Sequence, residues 1–318
     1  MIAVKNLCKH FGKVKAVDDI SFDVKEGENL ILLGTSGCGK TTTLKMINRL
    51  IEPTKGDISV NGKSIYQQSP ELLRRGIGYV LQNNGLFPHY TVAQNMAIVP
   101  QLLGWDKKRI NNRADELIEK IHLQKEQLNA YPDQLSGGQQ QRVGLARALM
   151  ADPPVLLMDE PFGALDPVTR FKIRREFKEL DELKRKTIIM VTHDVQEAFE
   201  LGDRICLMDK GRIVQTGTPA ELLFKPANNF VKEFLAKQRL QLEFKAVTLF
   251  DVWDSLPDDL AETHTAINKN LTVWEVLETL TANAKQPLTA ANPANGQTKT
   301  LTFNGLMAAF YQYETAEA

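Results

Sequence analysis

Residues 34–43 read GTSGCGKTTT. Gly34, Gly39, Lys40 and Thr41 fit the spacing G-x-x-x-x-G-K-[ST]. Glycines let a backbone wrap so that its N–H groups point inward at an anion, and a helix starting at Lys40 adds its positive end. Thr35, Ser36, Gly37, Cys38 and Thr42 complete such a cradle. Lys40 would reach the β- and γ-phosphates of a nucleoside triphosphate, and the Thr41 hydroxyl would hold Mg²⁺, which takes oxygen ligands. The bland alternative is a Gly-rich turn with a surface lysine. The apolar run Leu30–Leu33 before it and the helical pattern after it favour the phosphate site. A second chemistry-bearing stretch is VLLMDE (155–160), an apolar run ending in two carboxylates. Asp159 suits the Mg²⁺ shell and Glu160 suits the polarising of an attacking water. Read alone, this could equally be a strand ending in solvated acids; behind the glycine loop it becomes a candidate reaction centre. A third stretch, Ser136, Gly137, Gly138 and Gln139, opens the helical pattern GGQQQRVGLARALM. It is another bare helix N-terminus and another candidate anion site.

These residues need a scaffold, and the chain alternates strand-like and helix-like segments. NLILLG (29–34), GIGYVLQ (76–82), PVLLMDE (154–160), TIIMVTHD (187–194) and RICLMDKGRIVQTG (204–217) read as strands. Continuous apolar runs among them suit strands buried on both faces. Helices are expected at 40–50, 107–121, 138–150 and 168–183. Ala114, Leu117, Ile118 and Ile121 share one helical face. Alternation of this kind implies a mainly parallel α/β sheet. FVKEFLAKQRLQLEF (230–244) reads as a closing helix and the start of a linker, after which the texture turns polar. A boundary near Ala236 divides the chain into 1–236 and 237–318.

The 318 residues carry 39 basic and 39 acidic side chains, a formal net charge of zero, which argues against general nucleic-acid affinity. No apolar run reaches the ~18 residues of a membrane span, and MIAVKNLCKHFGKV lacks a signal-peptide core. The expectation is a cytoplasmic protein. Cys8, Cys38 and Cys206 are odd in number and far apart, implying neither a disulfide framework nor a metal knuckle. His10, His89, His122 and His264 show no ligand spacing. Taken alone, His193 reads as structural and Phe11 as core.

LSGGQQQR (135–142), placed before VLLMDE, resembles the signature of ABC-type ATPases, and so does the ordered set of motifs over about residues 1–236. The resemblance implies an α/β P-loop ATPase domain with a helical subdomain, hydrolysing ATP with Mg²⁺. It makes Phe11 the aromatic that stacks on adenine. Gln82 becomes the Q-loop glutamine, holding the metal together with Thr41 and Asp159. Asp166 in PFGALDP becomes the D-loop aspartate, and His193 in VTHD the switch histidine on the γ-phosphate and Glu160. It also explains the second anion site: two chains pack head to tail, so that each ATP lies between one chain's P-loop and the other's Ser136–Gln139. A homodimer with two competent sites is expected. The stretch after Gln82, NNGLFPHYTVAQNMAIVPQLLGW, would grip a separate integral-membrane permease, with Met96 and Ile98 more naturally core.

The wording of residues 33–65 and 76–110 resembles the ATPase subunits of quaternary-amine osmolyte importers, which take up glycine betaine, carnitine or choline. That implies an extracytoplasmic substrate-binding protein in the complex and a place on the cytoplasmic face of the membrane. Rivals are an importer ATPase for another small solute such as an amino acid, and a soluble ABC ATPase remodelling a nucleic-acid or protein complex. A regulatory module without catalysis is disfavoured by the intact Glu160 and His193. In 268–313, Thr272 and Glu275 form a capping box, Val273, Val276, Leu277 and Leu280 make an apolar face, and strand, turn, strand and helix follow. This small α+β domain resembles a single CBS repeat. Residues 245–267 are too short for a second, so the tail is expected to regulate or dimerise.

Overall fold

The computed structural model describes residues 1–258, 266–268, 270–283, 286–292 and 296–317. His264 and the centre of the ANPANGQ turn lie outside the described residues. Two compact units are present, Met1–Val214 and Gln215–Ala318. The division between them falls before the change of texture that the sequence places near Ala236.

The first unit opens with β1 (Ile2–Phe11) and β2 (Val14–Val24), followed by β3 (Asn29–Gly34), α1 (Lys40–Ile47), β4 (Lys55–Val60) and β5 (Lys63–Ser64). Next come α2 (Pro70–Arg75), β6 (Ile77–Val80), α3 (Val92–Leu102), α4 (Lys107–Lys120) and α5 (Gly137–Leu149). The remainder is β7 (Val155–Asp159), α6 (Pro167–Glu179), β8 (Thr187–Thr192), α7 (Val195–Leu201), β9 (Arg204–Asp209) and β10 (Arg212–Gly217), within which the division falls.

Six strands form one sheet in the order β10-β9-β3-β8-β7-β6. The pairs β3–β8, β3–β9, β7–β8 and β6–β7 are all parallel. Every residue of β7 and β8 is buried, as expected of strands covered on both faces. A second, antiparallel sheet runs β2-β1-β4-β5. Its inward residues Ile2, Val4, Leu7, Val17, Ile20 and Ile58 share one core with Leu30, Leu32, Leu44, Leu157 and Val191. The α1 helix is thereby held between two sheets. The helices α3, α4 and α5 form a helical layer: Ala114, Leu117, Ile118 and Ile121 are all buried, as their spacing predicts.

The second unit contains α8 (Pro219–Phe224), α9 (Asn229–Ala236), α10 (Arg239–Ala246), β11 (Ala266–Asn268), α11 (Val273–Ala282), β12 (Leu288–Ala291), β13 (Thr298–Leu301) and α12 (Phe303–Glu317). The closing helix expected in segment 230–244 is α9, and where a linker was expected to start the chain forms a second helix, α10, after Lys237–Gln238. The Thr272 capping box is formed: its hydroxyl accepts from Glu275 N–H at 3.2 Å, and Glu275 Oε2 accepts from Thr272 N–H at 2.8 Å. The unit also holds a three-stranded sheet, β11-β12-β13, and Leu242, Val276, Leu280, Leu306 and Phe310 are fully buried in it.

Candidate functional site

The parallel sheet delivers its chemistry at the carboxyl ends of its strands, where α/β folds bind ligands. Residues 34–39 leave β3, Gln82 follows β6, Asp159 ends β7, and His193 follows β8. The register aligns them: Val80 sits opposite Met158, Asp159 opposite Val191, and Thr192 opposite Leu33.

The glycines of the loop are required by their neighbours. Gly34 has φ 152°, and a Cβ there would lie 2.2 Å from the Met208 carbonyl oxygen. Gly39 has φ 107°, and its Cβ would lie 2.4 Å from the Ala16 carbonyl oxygen. Backbone strands on both sides thus press the loop into a shape only glycine takes. Lys40 is buried and folds back, donating to the carbonyls of Gly34 at 2.7 Å and Thr35 at 2.8 Å. Its ammonium is held inside the ring of residues 34–40. Thr35, Ser36 and Gly37 are exposed, while Thr41 and Thr42 are half-buried on the first turn of α1. Cys38 is buried 3.8 Å from the Lys40 ammonium, and burial pushes its thiol up from the ordinary range, so it packs rather than reacts.

Thr41 donates its hydroxyl proton to Asp159 Oδ1 at 2.7 Å. Burial pushes the Asp159 carboxyl up, and the Thr41 hydrogen bond opposes that shift. A hydroxyl and a carboxylate, both hard oxygen donors and already in contact at the mouth of the phosphate loop, fit Mg²⁺. Thr41 and Asp159 would hold it, and it would supply charge neutralisation to the phosphates of a bound nucleotide.

Glu160 adopts φ 44°, in the left-handed region a non-glycine residue seldom takes. Its N–H donates to Val191 O at 2.9 Å and its carbonyl accepts from Gly163 N–H at 3.1 Å. Glu160 Oε2 accepts from Gln82 Nε2 at 3.2 Å and stands 3.1 Å from His193 Nδ1. A ring protonated on both nitrogens would donate to Glu160 through Nδ1 and to a phosphate oxygen through Nε2.

The structure thus gathers Lys40, Thr41, Gln82, Asp159, Glu160 and His193 at one end of the sheet. Phe11 ends β1: the residue is 52% exposed, with the Lys9 ammonium 5.0 Å from its ring centre. Ser136 caps α5, accepting from Gln139 N–H at 3.3 Å while Gln139 Oε1 accepts from Ser136 N–H. Among the described residues, no hydrogen bond or ion pair joins Ser136, Gly137, Gly138 or Gln139 to residues 34–42 of the same chain. Asp166 is exposed and caps α6 through the N–H groups of Val168 and Thr169.

Two positioning side chains escaped the sequence. Asn95, fully buried on α3, donates to the carbonyls of Phe87, Tyr90 and Thr91 and accepts from Phe87 N–H. Arg147 donates to the carbonyls of Asn84 and Gly85. Together they hold the segment after Gln82, and the one available signal was an Asn on an apolar helix face. Met96 is fully buried and Ile98 half-buried. Leu81, Phe87, Tyr90, Leu102 and Leu103 are exposed. A groove of about 310 Å³ runs beside them, lined by Tyr79, Leu81, Phe87, Ile98 and Val99.

A family pattern described as ABC transporter matches residues 17–163. The chain is 45% identical over 307 residues to the glycine betaine uptake system ATP-binding protein YehX of Escherichia coli, spanning 96% of this chain and 99% of that one. The chain belongs to the ABC transporter family. It is 49% identical over 275 residues to the osmoprotectant import ATP-binding protein OsmV of Salmonella typhimurium, covering 85% of this ABC protein and 72% of its relative. The glycine betaine/carnitine/choline transport ATP-binding protein OpuCA of Bacillus subtilis is 53% identical over 241 residues, 76% of this chain and 63% of that relative. An ATP-binding cassette solved as a dimer in a post-hydrolysis state with ADP and Pi superposes with a TM-score of 0.61 at 34% identity, covering 69% of this chain and 98% of the other. This ABC protein is accordingly an ATP-binding, ATP-hydrolysing subunit with an α/β cassette fold. No helix among its described residues is long and apolar enough to cross a membrane.

Proposed function

We propose that this ABC ATPase energises import of a quaternary-amine osmolyte, such as glycine betaine, carnitine or choline. The supporting observation is the 45% identity to a glycine betaine uptake ATPase that runs through nearly the whole of both chains. The solute need not touch this subunit, whose task is to convert ATP hydrolysis into movement of a separate integral-membrane permease. The exposed apolar residues after Gln82 and the groove beside them are the permease contact, on the cytoplasmic face of the membrane. An extracytoplasmic substrate-binding protein completes the assembly.

In this proposal two chains form a homodimer. The N–H groups of residues 35–42 and Lys40 hold the phosphates, and Phe11 stacks on adenine. Thr41, Asp159 and Gln82 hold Mg²⁺. Glu160 accepts the proton of the attacking water, and His193 steadies the γ-phosphate and the Glu160 carboxylate. Ser136–Gln139 act on the ATP of the partner chain, and Asp166 belongs to the same interface. Residues 237–318 form a CBS-like regulatory or dimerising domain.

The test is reconstitution. Co-purified with its permease in liposomes, the complex should hydrolyse ATP faster when a glycine betaine-loaded binding protein is added. Stimulation by an amino acid and by none of the three quaternary amines would refute the substrate class.

A further inference from the structure

The carboxylate of Glu160 and the imidazole of His193 come from different strand ends, and their 3.1 Å approach has to be held from outside the pair. One guanidinium spans both supports. Arg170, on the second turn of α6, donates through Nη2 to the Leu165 carbonyl at 3.0 Å. Its own N–H donates to the Asp166 carbonyl at 2.9 Å. Its Nη1 lies 3.5 Å from Oδ2 of Asp194, the residue that follows His193. Asp194 in turn caps α7, accepting from Gln196 and Glu197 N–H groups at 2.8 and 3.2 Å.

The contacts close into a ring. From Glu160 the chain turns through hydrogen bonds Gly163 N–H to Glu160 O and Leu165 N–H to Phe162 O. It reaches Leu165, crosses the Arg170 side chain to Asp194, steps back to His193, and returns to Glu160. Behind Asp194, the buried carboxylate of Glu197 lies 4.0 Å from Arg170 Nε and accepts from Thr192 Oγ1 at 2.6 Å. Arg170 Nε is buried with no hydrogen-bond partner. The guanidinium is therefore directed by its two ends, the loop carbonyl and Asp194. Arginine suits this place because its planar fork can serve two directed acceptors at once, which a lysine ammonium on a flexible stem does less well. One turn further on, Arg174 pairs with Glu200 at 3.1 Å and joins the same two helices without touching the loop.

We propose that Arg170 is a positioning residue for ATP hydrolysis, fixing His193 against Glu160 by tying Asp194 to the loop that leaves Glu160. This rests on the roles given to Glu160 and His193 above. It makes residues 160–170 and 192–197 move as one body, so a displacement of the Asp166 turn is transmitted to His193.

The full chain is compared as wild type, R170Q, R170K, D194N, R170Q/D194N, R174Q and E160Q, with kcat, KM for ATP and thermal midpoint measured for each. Asparagine caps a helix about as well as aspartate, so D194N removes the charge and leaves the cap. R170Q should lower kcat ~10- to 100-fold, the range expected when reacting groups are misplaced, with KM changed less than about threefold on the same reasoning. R170K should recover part of that loss. The double variant should be no slower than the slower single variant, because the two residues act as a unit. R174Q should lower the midpoint while keeping kcat. The proposal is overturned if R170Q keeps wild-type kcat, if kcat falls in step with the midpoint in R170Q and R174Q alike, or if the R170Q and D194N losses multiply. E160Q separates the two levels: normal turnover there removes the site assignment itself, whereas a dead E160Q beside a normal R170Q removes only the role of Arg170.

Discussion

His193 Nδ1 and Glu160 Oε2 stand 3.1 Å apart, although 33 residues of chain separate them. Adjacent parallel strands β7 and β8 bring their carboxyl ends together, with Asp159 opposite Val191. Glu160 then turns into a left-handed conformation, φ 44°, while its N–H bonds Val191 O. The same oxygen accepts from Gln82 Nε2 at 3.2 Å. Three strand ends therefore meet at one oxygen, and the position is costly for a non-glycine residue unless the surroundings enforce it.

The first expected outcome concerns that oxygen. Glu160→Gln keeps the size and loses the basicity. Turnover should fall by ~10²-fold or more, the usual contribution of a general base. ATP binding should persist, because the phosphate loop and Lys40 are untouched, and the ATP-bound dimer should accumulate. Single-turnover hydrolysis and size-exclusion chromatography with ATP measure both. Near-normal turnover would remove Glu160 from the role.

The second concerns the two anion sites. Lys40 is committed to its own loop, and Ser136–Gln139 make no hydrogen bond with it in the same chain. Lys40→Ala should weaken nucleotide binding. Ser136→Arg should leave binding to a single chain nearly intact and stop turnover. Mixing the two variants should restore about one working site per mixed dimer, since each supplies what the other lacks. If mixing restores nothing while crosslinking shows mixed dimers, either the trans arrangement fails or both sites are needed together.

Much of this site was legible because its residues sit at the ends of strands buried on both faces. Such strands announce themselves as unbroken apolar runs: β3, β7 and β8 fall inside the segments expected for them. The antiparallel sheet was not legible. β1 and β2 mix buried and exposed residues, and register shifts at Val4/Leu7, Leu7/Lys9 and Lys9/His10 break the two-residue period. The α3 helix is not among the helices the sequence predicts: Pro100 lies inside it, and exposed Leu102 and Leu103 follow buried Val92, Met96 and Ala97. The role of Arg170 has no sequence signature, since an arginine on an amphipathic helix looks like a solvated face until its acceptors are known.

A third outcome concerns acid stability. Arg113 donates to both Glu182 oxygens, at 3.4 and 3.0 Å, and Lys120 pairs with the same carboxylate. These partners, Arg113 first, hold Glu182 down at about 2 against an ordinary 4.5. Its folded value is depressed, so its contribution is fully present above about 4.5 and is lost as pH falls toward about 2. Glu182→Gln should lower stability at pH 7 by about 1 kcal/mol, the scale of a partly exposed network. The gap from wild type should close between pH 4.5 and 2. Urea midpoints across that range give the comparison, and a gap that stays constant with pH would show that the charge contributes nothing.

The last outcome concerns the second unit. Phe310 is fully buried, edge-on to Phe244 with ring centres 4.7 Å apart. Truncating such a side chain to alanine costs ~3–5 kcal/mol, a large part of what a small unit has to spare. Phe310→Ala should therefore loosen Gln215–Ala318, whereas Lys40, Asp159, Glu160 and His193 all lie within Met1–Val214. Basal ATP hydrolysis should survive. What should be lost is control: in the reconstituted transporter, the response of solute-stimulated ATPase to ionic strength should flatten. Charges on a folded tail feel salt through screening over ~8 Å at physiological ionic strength, and a loosened tail no longer holds them at fixed distances. ATPase against salt is measured for wild type and Phe310→Ala in the same liposomes, with proteolysis confirming that the unit has opened. Superimposable salt curves alongside an opened tail would mean that this unit packs without regulating.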